Sequence, residues 1–227
     1  MDYKSFHYPK LFRQDISVYY KSEGVFFETY NCKTNYENVV KDCQFRCVYC
    51  DAHMDECGGE PFSLDHFRPV DVFSEKFDGV LNIHPFNLHL SCQKCNVLKK
   101  NDWKGCLDTI DGVTFVASSG YIDRFKEDIN CYLRVDEKGS VFSVDSNGPA
   151  EYMIRKLLLN RTNRVYIRNL RLVKEKAKRV MDLLVIAQSK LHEDFKNNKI
   201  SAEEMKIKFE KVLRLLESFN QLQILGV

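Results

Sequence analysis

Two Cys-x-x-Cys pairs, Cys47-Val48-Tyr49-Cys50 and Cys92-Gln93-Lys94-Cys95, tie together distant parts of this 227-residue chain. Each has the spacing of a zinc knuckle, a tight turn that lets two thiolates reach one ion, and two such pairs complete a tetrahedral site. Four thiolates leave no position for water or substrate, so the ion is expected to be a structural Zn²⁺ that pins the two segments. His53, Cys57 and Cys43 stand close enough to substitute, but none completes another such spacing, and Cys43 reads as a buried thiol. The chain has nine cysteines, an odd number. That count fits thiolate ligands in a reducing, cytoplasmic setting better than a disulfide framework. Met1-Asp2-Tyr3-Lys4 opens no apolar signal segment, and no run of about 18 apolar residues offers a membrane span.

Between the pairs, Phe62-Ser63-Leu64-Asp65-His66 alternates apolar and polar residues and predicts a short strand, closed by Pro69. It delivers Asp65 and His66 at its end. Asn87 to Leu90 resumes the alternation, and Gln93 to Asn101 holds no breaker and predicts a helix. Asn96, Lys99 and Lys100 are spaced i, i+3, i+4, so one helical face is expected to carry all three. Phosphodiester hydrolysis needs a base to activate water and a hard cation to stabilise charge on the phosphate. An Asp-His pair and two asparagines between zinc knuckles can supply both. Arg68, Lys94, Lys99 and Lys100 are candidate phosphate contacts, although a solvated helix face is the usual fate of a lysine pair.

The pattern Cys47/Cys50, Asp65-His66-Phe67-Arg68-Pro69, Asn87-Leu88 and Cys92/Cys95-Asn96-x-x-Lys99 resembles the HNH endonucleases, over about Cys47 to Trp103. The resemblance implies an α+β fold: a ββα-metal (treble-clef-like) nuclease core with a structural zinc. It implies His66 as general base, Asp65 and Asn96 as ligands of one catalytic Mg²⁺ or Mn²⁺, and Asn87 as the residue that orients the base-bearing loop. His84 and His89 are rivals of Asn96 for the second ligand position. Tyr8-Pro9-Lys10-Leu11 and the stretches Leu157 to Arg161 and Arg168 to Arg171 are similar to bacterial HNH proteins that work beside an ATPase in Septu-type antiphage systems, some of them retron-linked. That likeness implies a defence role and an ATPase partner.

The flanks read as support. Residues 1–44 form an aromatic-rich packing segment, with Tyr19, Tyr20, Phe26 and Phe27 toward the core and a helix over Tyr36 to Cys43. Residues 45–110 are the nuclease core. Residues 111–150 form a small β region, with strands at Gly112 to Ala117, Cys131 to Val135 and Val141 to Val144. Residues 151–227 form a C-terminal helical extension: one helix presents Ile154, Leu157 and Leu158, and two longer helices form a hairpin, the last opened by the capping box Ser201 to Glu204. Net charge is only +2, yet between Arg155 and Arg179 ten Lys or Arg face a single acid, Glu175. That stretch carries +9 and the remainder −7, which suggests a nucleic-acid backbone, an acidic partner or a wet helix face. The expected function is endonuclease action on DNA, with two copies needed for double-strand cleavage. The alternatives are RNA cleavage and a zinc-stapled module that binds nucleic acid or protein without hydrolysis.

Overall fold

A computed structural model describes residues 8–19, 33–144 and 147–224, with side chains described as far as Ser218. The fold is α+β, with three two-stranded antiparallel sheets and six α-helices among the described residues. It divides into two units between Arg168 and Asn169.

The first unit is built on β1 (Phe62–His66) and β2 (Leu88–Cys92), which pair from Phe62 opposite Cys92 to His66 opposite Leu88. All five residues of β2 are buried, so this hairpin is covered on both faces. α1 (Lys33–Asp42) packs on it and inserts Val39 and Val40, as the Tyr36–Cys43 pattern predicts. The link from β1 to β2 is not a bare loop. It holds α2 (Val70–Phe73) and 3₁₀ turns at Phe77–Asn82 and Pro85–Asn87, and the first of these turns kinks at Asp78 and Gly79, both at positive φ. α3 (Gln93–Lys99) follows β2 without a linker, Cys92 being its N-cap. Strand, connection, strand and helix thus arrive in the predicted order.

The expected strand over Gly112–Ala117 shrinks to β3 (Phe115–Val116), paired with β4 (Ser119–Gly120). A Cβ on Gly120 would lie 2.6 Å from Phe115 Cα, so only glycine lets these backbones approach. β5 (Leu133–Val135) and β6 (Val141–Ser143) form the predicted hairpin. Its turn is tied by Asp136, whose carboxylate accepts from the amides of Lys138 (2.9 Å) and Ser140 (2.8 Å). α4 (Ala150–Lys156) buries Met153, and Leu157 just beyond it is buried too. Leu158, expected on the same face, is instead exposed: at φ 48° the chain has left the helix and its side chain swings away.

The N-terminal stretch threads the same unit. Leu11 and Tyr19 are buried, and the backbone of Tyr8 is bonded both ways to the amide of Asn130 (2.8 and 2.9 Å). Tyr20, Phe26 and Phe27 lie outside the described residues.

The second unit comprises the rest of α5 (Thr162–Lys196), which crosses the division, and α6 (Ala202–Ile224). Asn198, at φ 54°, ends α5 in the left-handed conformation that asparagine tolerates. Ser201 and Glu204 then exchange the two 3.1 Å bonds of the capping box. Of the residues that the helical spacing turns inward, Leu184 on α5 and Val212 on α6 are buried, whereas Val180 and Phe209 are exposed, as are Leu183, Ile186 and Leu215 off those stripes. No helix among the described residues is long and apolar enough to cross a membrane.

Candidate functional site: a thiolate cluster and a polar cleft

The sulfurs of Cys47, Cys50, Cys92 and Cys95 all lie within 4.8 Å of one another and are buried. A tetrahedral ion with sulfur bonds of about 2.3 Å would set its ligands about 3.8 Å apart. Cys50 Sγ and Cys92 Sγ are 3.8 Å apart. The donor set therefore fits Zn²⁺. Asp51 allows the first knuckle to close by adopting φ 61° and donating its amide to the Cys47 carbonyl (2.9 Å). Of the possible substitutes, Cys43 accepts from the Leu90 amide at 3.5 Å and Cys57 donates to the His53 carbonyl at 3.3 Å; neither joins the cluster.

Two arginines complete the surroundings. Arg161 Nη2 donates to Cys95 (3.4 Å), Cys92 (3.5 Å) and Cys50 (3.7 Å), and Arg164 Nε donates to Cys50 (3.3 Å). Burial opposes ionisation of Cys50, yet hydrogen bonds with the other three thiols and the Arg164 charge hold it well below the ordinary thiol range. Arg168 turns inward as well, donating to the carbonyls of Gly139 (2.7 Å) and Leu159 (2.6 Å). The basic stretch is thus not one continuous track for nucleic acid. Arg164 and Arg168 are almost fully buried, while Lys174, Lys176, Lys178 and Arg179 are exposed. In the sequence the inward arginines are marked only by the spacing of Arg161, Arg164 and Arg168 against their neighbours, a signal that helical charge patterning alone does not separate from a wet face.

On the far side of α3 lies an open cleft of about 350 Å³ lined by Leu64, Asp65, His66, Pro69, Val70, Asn96, Val97, Lys100 and Asn101. Strand β1 delivers Asp65 and His66, and α3 delivers Asn96. His66 Nε2 stands 2.8 Å from the Asn82 carbonyl. A carbonyl only accepts, so Nε2 carries the proton and Nδ1 carries the lone pair of the neutral ring. Burial lowers the His66 pKa, partly offset by the Asn82 bond and Asp65, while Lys99 lowers it further. Asn96 donates its amide nitrogen to Ser63 Oγ (3.0 Å), so its amide oxygen is the group it can offer to a cation.

Asn87 does not line the cleft. Its buried amide accepts from the Arg68 amide (2.8 Å) and donates to the carbonyls of Arg68 (3.0 Å) and Leu81 (2.8 Å). It thereby fixes the backbone just after His66 against the turn that carries Asn82.

The four basic candidates separate. Lys100 lines the cleft and is exposed, at φ 47° and ψ −128°, a conformation that strains any residue with a Cβ. Lys99 is fully buried: its ammonium meets both Asp65 oxygens (3.1 and 3.3 Å) and the His66 carbonyl (2.8 Å). It does not share a face with Lys100, because the helix ends between them. Arg68 is buried too, stacked 4.8 Å from the centre of the Trp103 ring and donating to the Gly112 carbonyl (2.5 Å). Lys99 and Arg68 are therefore corrected from phosphate contacts to internal cations. Lys94 is exposed and does not line the cleft.

Neither rival histidine reaches the cleft. His84 caps the 3₁₀ turn at Pro85–Asn87, its Nδ1 accepting from the Phe86 amide (3.2 Å). His89 is buried, stacked on Phe67 with ring centres 4.4 Å apart, and meets Phe125 edge-on. One residue that the sequence reading passed over is Tyr49, inside the first knuckle, whose hydroxyl donates to Asp65.

The chain matches no protein-family model, no curated protein and no solved structure.

Proposed function

We propose that the chain is a metal-dependent endonuclease of the HNH type that hydrolyses nucleic-acid phosphodiesters, DNA before RNA. The observation that carries this reading is the cleft itself, which gathers Asp65, His66, Asn96 and Lys100 from β1 and α3 around one open volume. Bound there, Mg²⁺ or Mn²⁺ would stabilise negative charge on the phosphate and the leaving oxygen. Asp65 and Asn96 offer it the oxygen donors that hard cations take. His66, with Nε2–H anchored on Asn82, accepts the proton of the attacking water at Nδ1. Asn87 holds that base in place, and Lys100 meets a phosphate oxygen at the mouth of the cleft. The four thiolates and their Zn²⁺ fold the site and take no part in the chemistry.

One such cleft nicks one strand, so double-strand cleavage takes a pair of copies. The second unit, with Leu183, Ile186 and Leu215 exposed, is assigned to that pairing. An ATPase partner, a role in antiphage defence and a cytoplasmic setting rest on the Septu-type resemblance and the thiolate chemistry.

A second reading is favoured by a specific contact. Lys99 engages both Asp65 oxygens and Tyr49 engages one of them, so the carboxylate already has a counter-ion. On that reading the thiolate-stapled core is a binding module for nucleic acid or protein, and no hydrolysis occurs. The test is nicking of supercoiled plasmid with Mg²⁺ or Mn²⁺, wild type against His66→Ala at matched folding. Metal-dependent nicking lost in the variant supports the nuclease. Equal nicking by the two would remove His66 as the base, and none with any nucleic acid favours the binding module.

A further inference from the structure

Four thiolates and a divalent ion carry a net charge of −2. Buried away from water, such a charge is costly unless opposite charge sits against it. Against this cluster sit two guanidinium groups, carrying +2 between them. Arg161 reaches three of the four sulfurs through one nitrogen, and its Nη1 donates to the carbonyls of Leu157 (3.1 Å) and Leu158 (3.3 Å), which lie just past α4. Its Nε is buried without a hydrogen-bond partner. The side chain leaves only Nε unpartnered and sets Nη2 where its charge meets three of the sulfurs. Arg164 places Nε on Cys50 and pairs Nη2 with Glu60, whose other oxygen accepts from the Lys94 amide (3.1 Å) inside the second knuckle.

We infer that Arg161 and Arg164 belong to the metal site as its outer charge shell, so that the ion holds three segments: both knuckles and the junction of α4 with α5. The inference stands on the cluster alone and holds whether or not the cleft cuts nucleic acid. Donors to a ligating sulfur draw electron density from it, and outer partners of this kind are worth about 10- to 100-fold in metal affinity.

The test compares the whole zinc-loaded chain with Arg161→Met, Arg164→Met, Arg161→Lys and Arg155→Met, the last at a guanidinium on α4 that is exposed and paired with Glu151. Zinc is withdrawn by a chromogenic chelator, and the Co²⁺-substituted proteins are read by their sulfur-to-cobalt charge-transfer band. The Met variants at 161 and 164 are expected to release zinc at roughly 10- to 100-fold lower chelator concentration, with the band moved to longer wavelength. Arg161→Lys, which keeps the charge but not the fork, should fall between, and Arg155→Met should match wild type. Folded Met variants with wild-type affinity and an unmoved band would overturn the inference. Should the Met variants not fold, Arg161→Gln, which keeps an amide donor but not the charge, decides: a band and affinity equal to wild type would overturn it too.

Discussion

At the N-terminal end of α3, Cys92 and Cys95 turn their sulfurs into a closed cluster with Cys47 and Cys50, against which Arg161 and Arg164 set positive charge. Past the other end of the same short helix Lys100, together with Asn96 from its middle, lines an open polar cleft with Asp65 and His66. The chemistry of the donors explains the contrast. Soft thiolates packed away from water suit a tightly held ion such as Zn²⁺, whereas oxygen donors at an open mouth would, on the proposed reading, suit a hard cation. On the proposed reading, the comparison teaches that a metal fixing the start of a helix would hold the rest of it still enough to carry a second site.

The sharpest way to break the contrast is to remove the first site. Stripping the metal, or replacing Cys50 and Cys95 together by Ser, takes away on the order of 10 kcal/mol of folding free energy. The first unit should then lose its cooperative thermal transition, and the cleft should be lost with it. A chelated protein that melts like the loaded one would show that the ends of α3 are independent. The converse change, at the cleft, should leave folding intact. His66→Ala is expected to lower nicking by about 10²- to 10⁴-fold while zinc content and melting temperature stay close to wild type. Wild-type nicking should persist as pH passes down through the ordinary histidine value of 6.5 and fall only at lower pH, because burial holds His66 neutral there and only the neutral ring accepts a proton.

Much of this contrast is legible in the residues. The cysteine spacing picks out the ligands because a tetrahedral thiolate site has few sequence forms, and the alternation at Phe62 to His66 sets β1 to the residue. What pattern does not reveal is direction. Lys99 and Lys100 are neighbours in sequence, yet one is sealed against Asp65 and the other faces water, because the helix ends between them at a residue with positive φ. Arg68 and Arg161 look like surface cations until the Trp103 ring and the sulfurs they meet are in place. Such partners are 35 to 111 residues away in sequence for Arg68 with Trp103 and Arg161 with Cys50, and no local periodicity encodes them.

Asn87 pins the backbone just after His66, and its replacement sharpens the comparison at intermediate cost. Asn87→Ala removes three buried hydrogen bonds and leaves the Arg68 amide and two carbonyls without partners. The expected loss is about 3 kcal/mol in urea unfolding. Because the backbone after His66 is then unpinned, nicking should fall further than the lost stability explains, while zinc content should not change. A variant that loses zinc and activity in proportion would show that Asn87 serves general folding and not the cleft.

The smallest effect lies between the two sites, on β2, where His89 stands opposite Asp65 and three residues before Cys92. Burial pushes its pKa well below 6.5, and the charges of Arg13, Lys99 and Arg68 push the same way. Unfolding releases that ring to its ordinary value, so between the two values the unfolded chain binds the extra proton and stability falls as pH falls. Such a histidine therefore lowers stability as pH falls from 7.5 to 5.5. His89→Phe keeps a flat ring against Phe67 and Phe125 and should remove that share of the pH dependence, as read from urea midpoints at the two pH values. What remains should belong to His66 and His84, whose pKa values burial also lowers. His66→Ala should then remove its own share without touching that of His89. An acid sensitivity that survives both substitutions undiminished would instead place it at the thiolates, where protonation releases the ion, and the end of α3 that looks sealed would be the one open to pH.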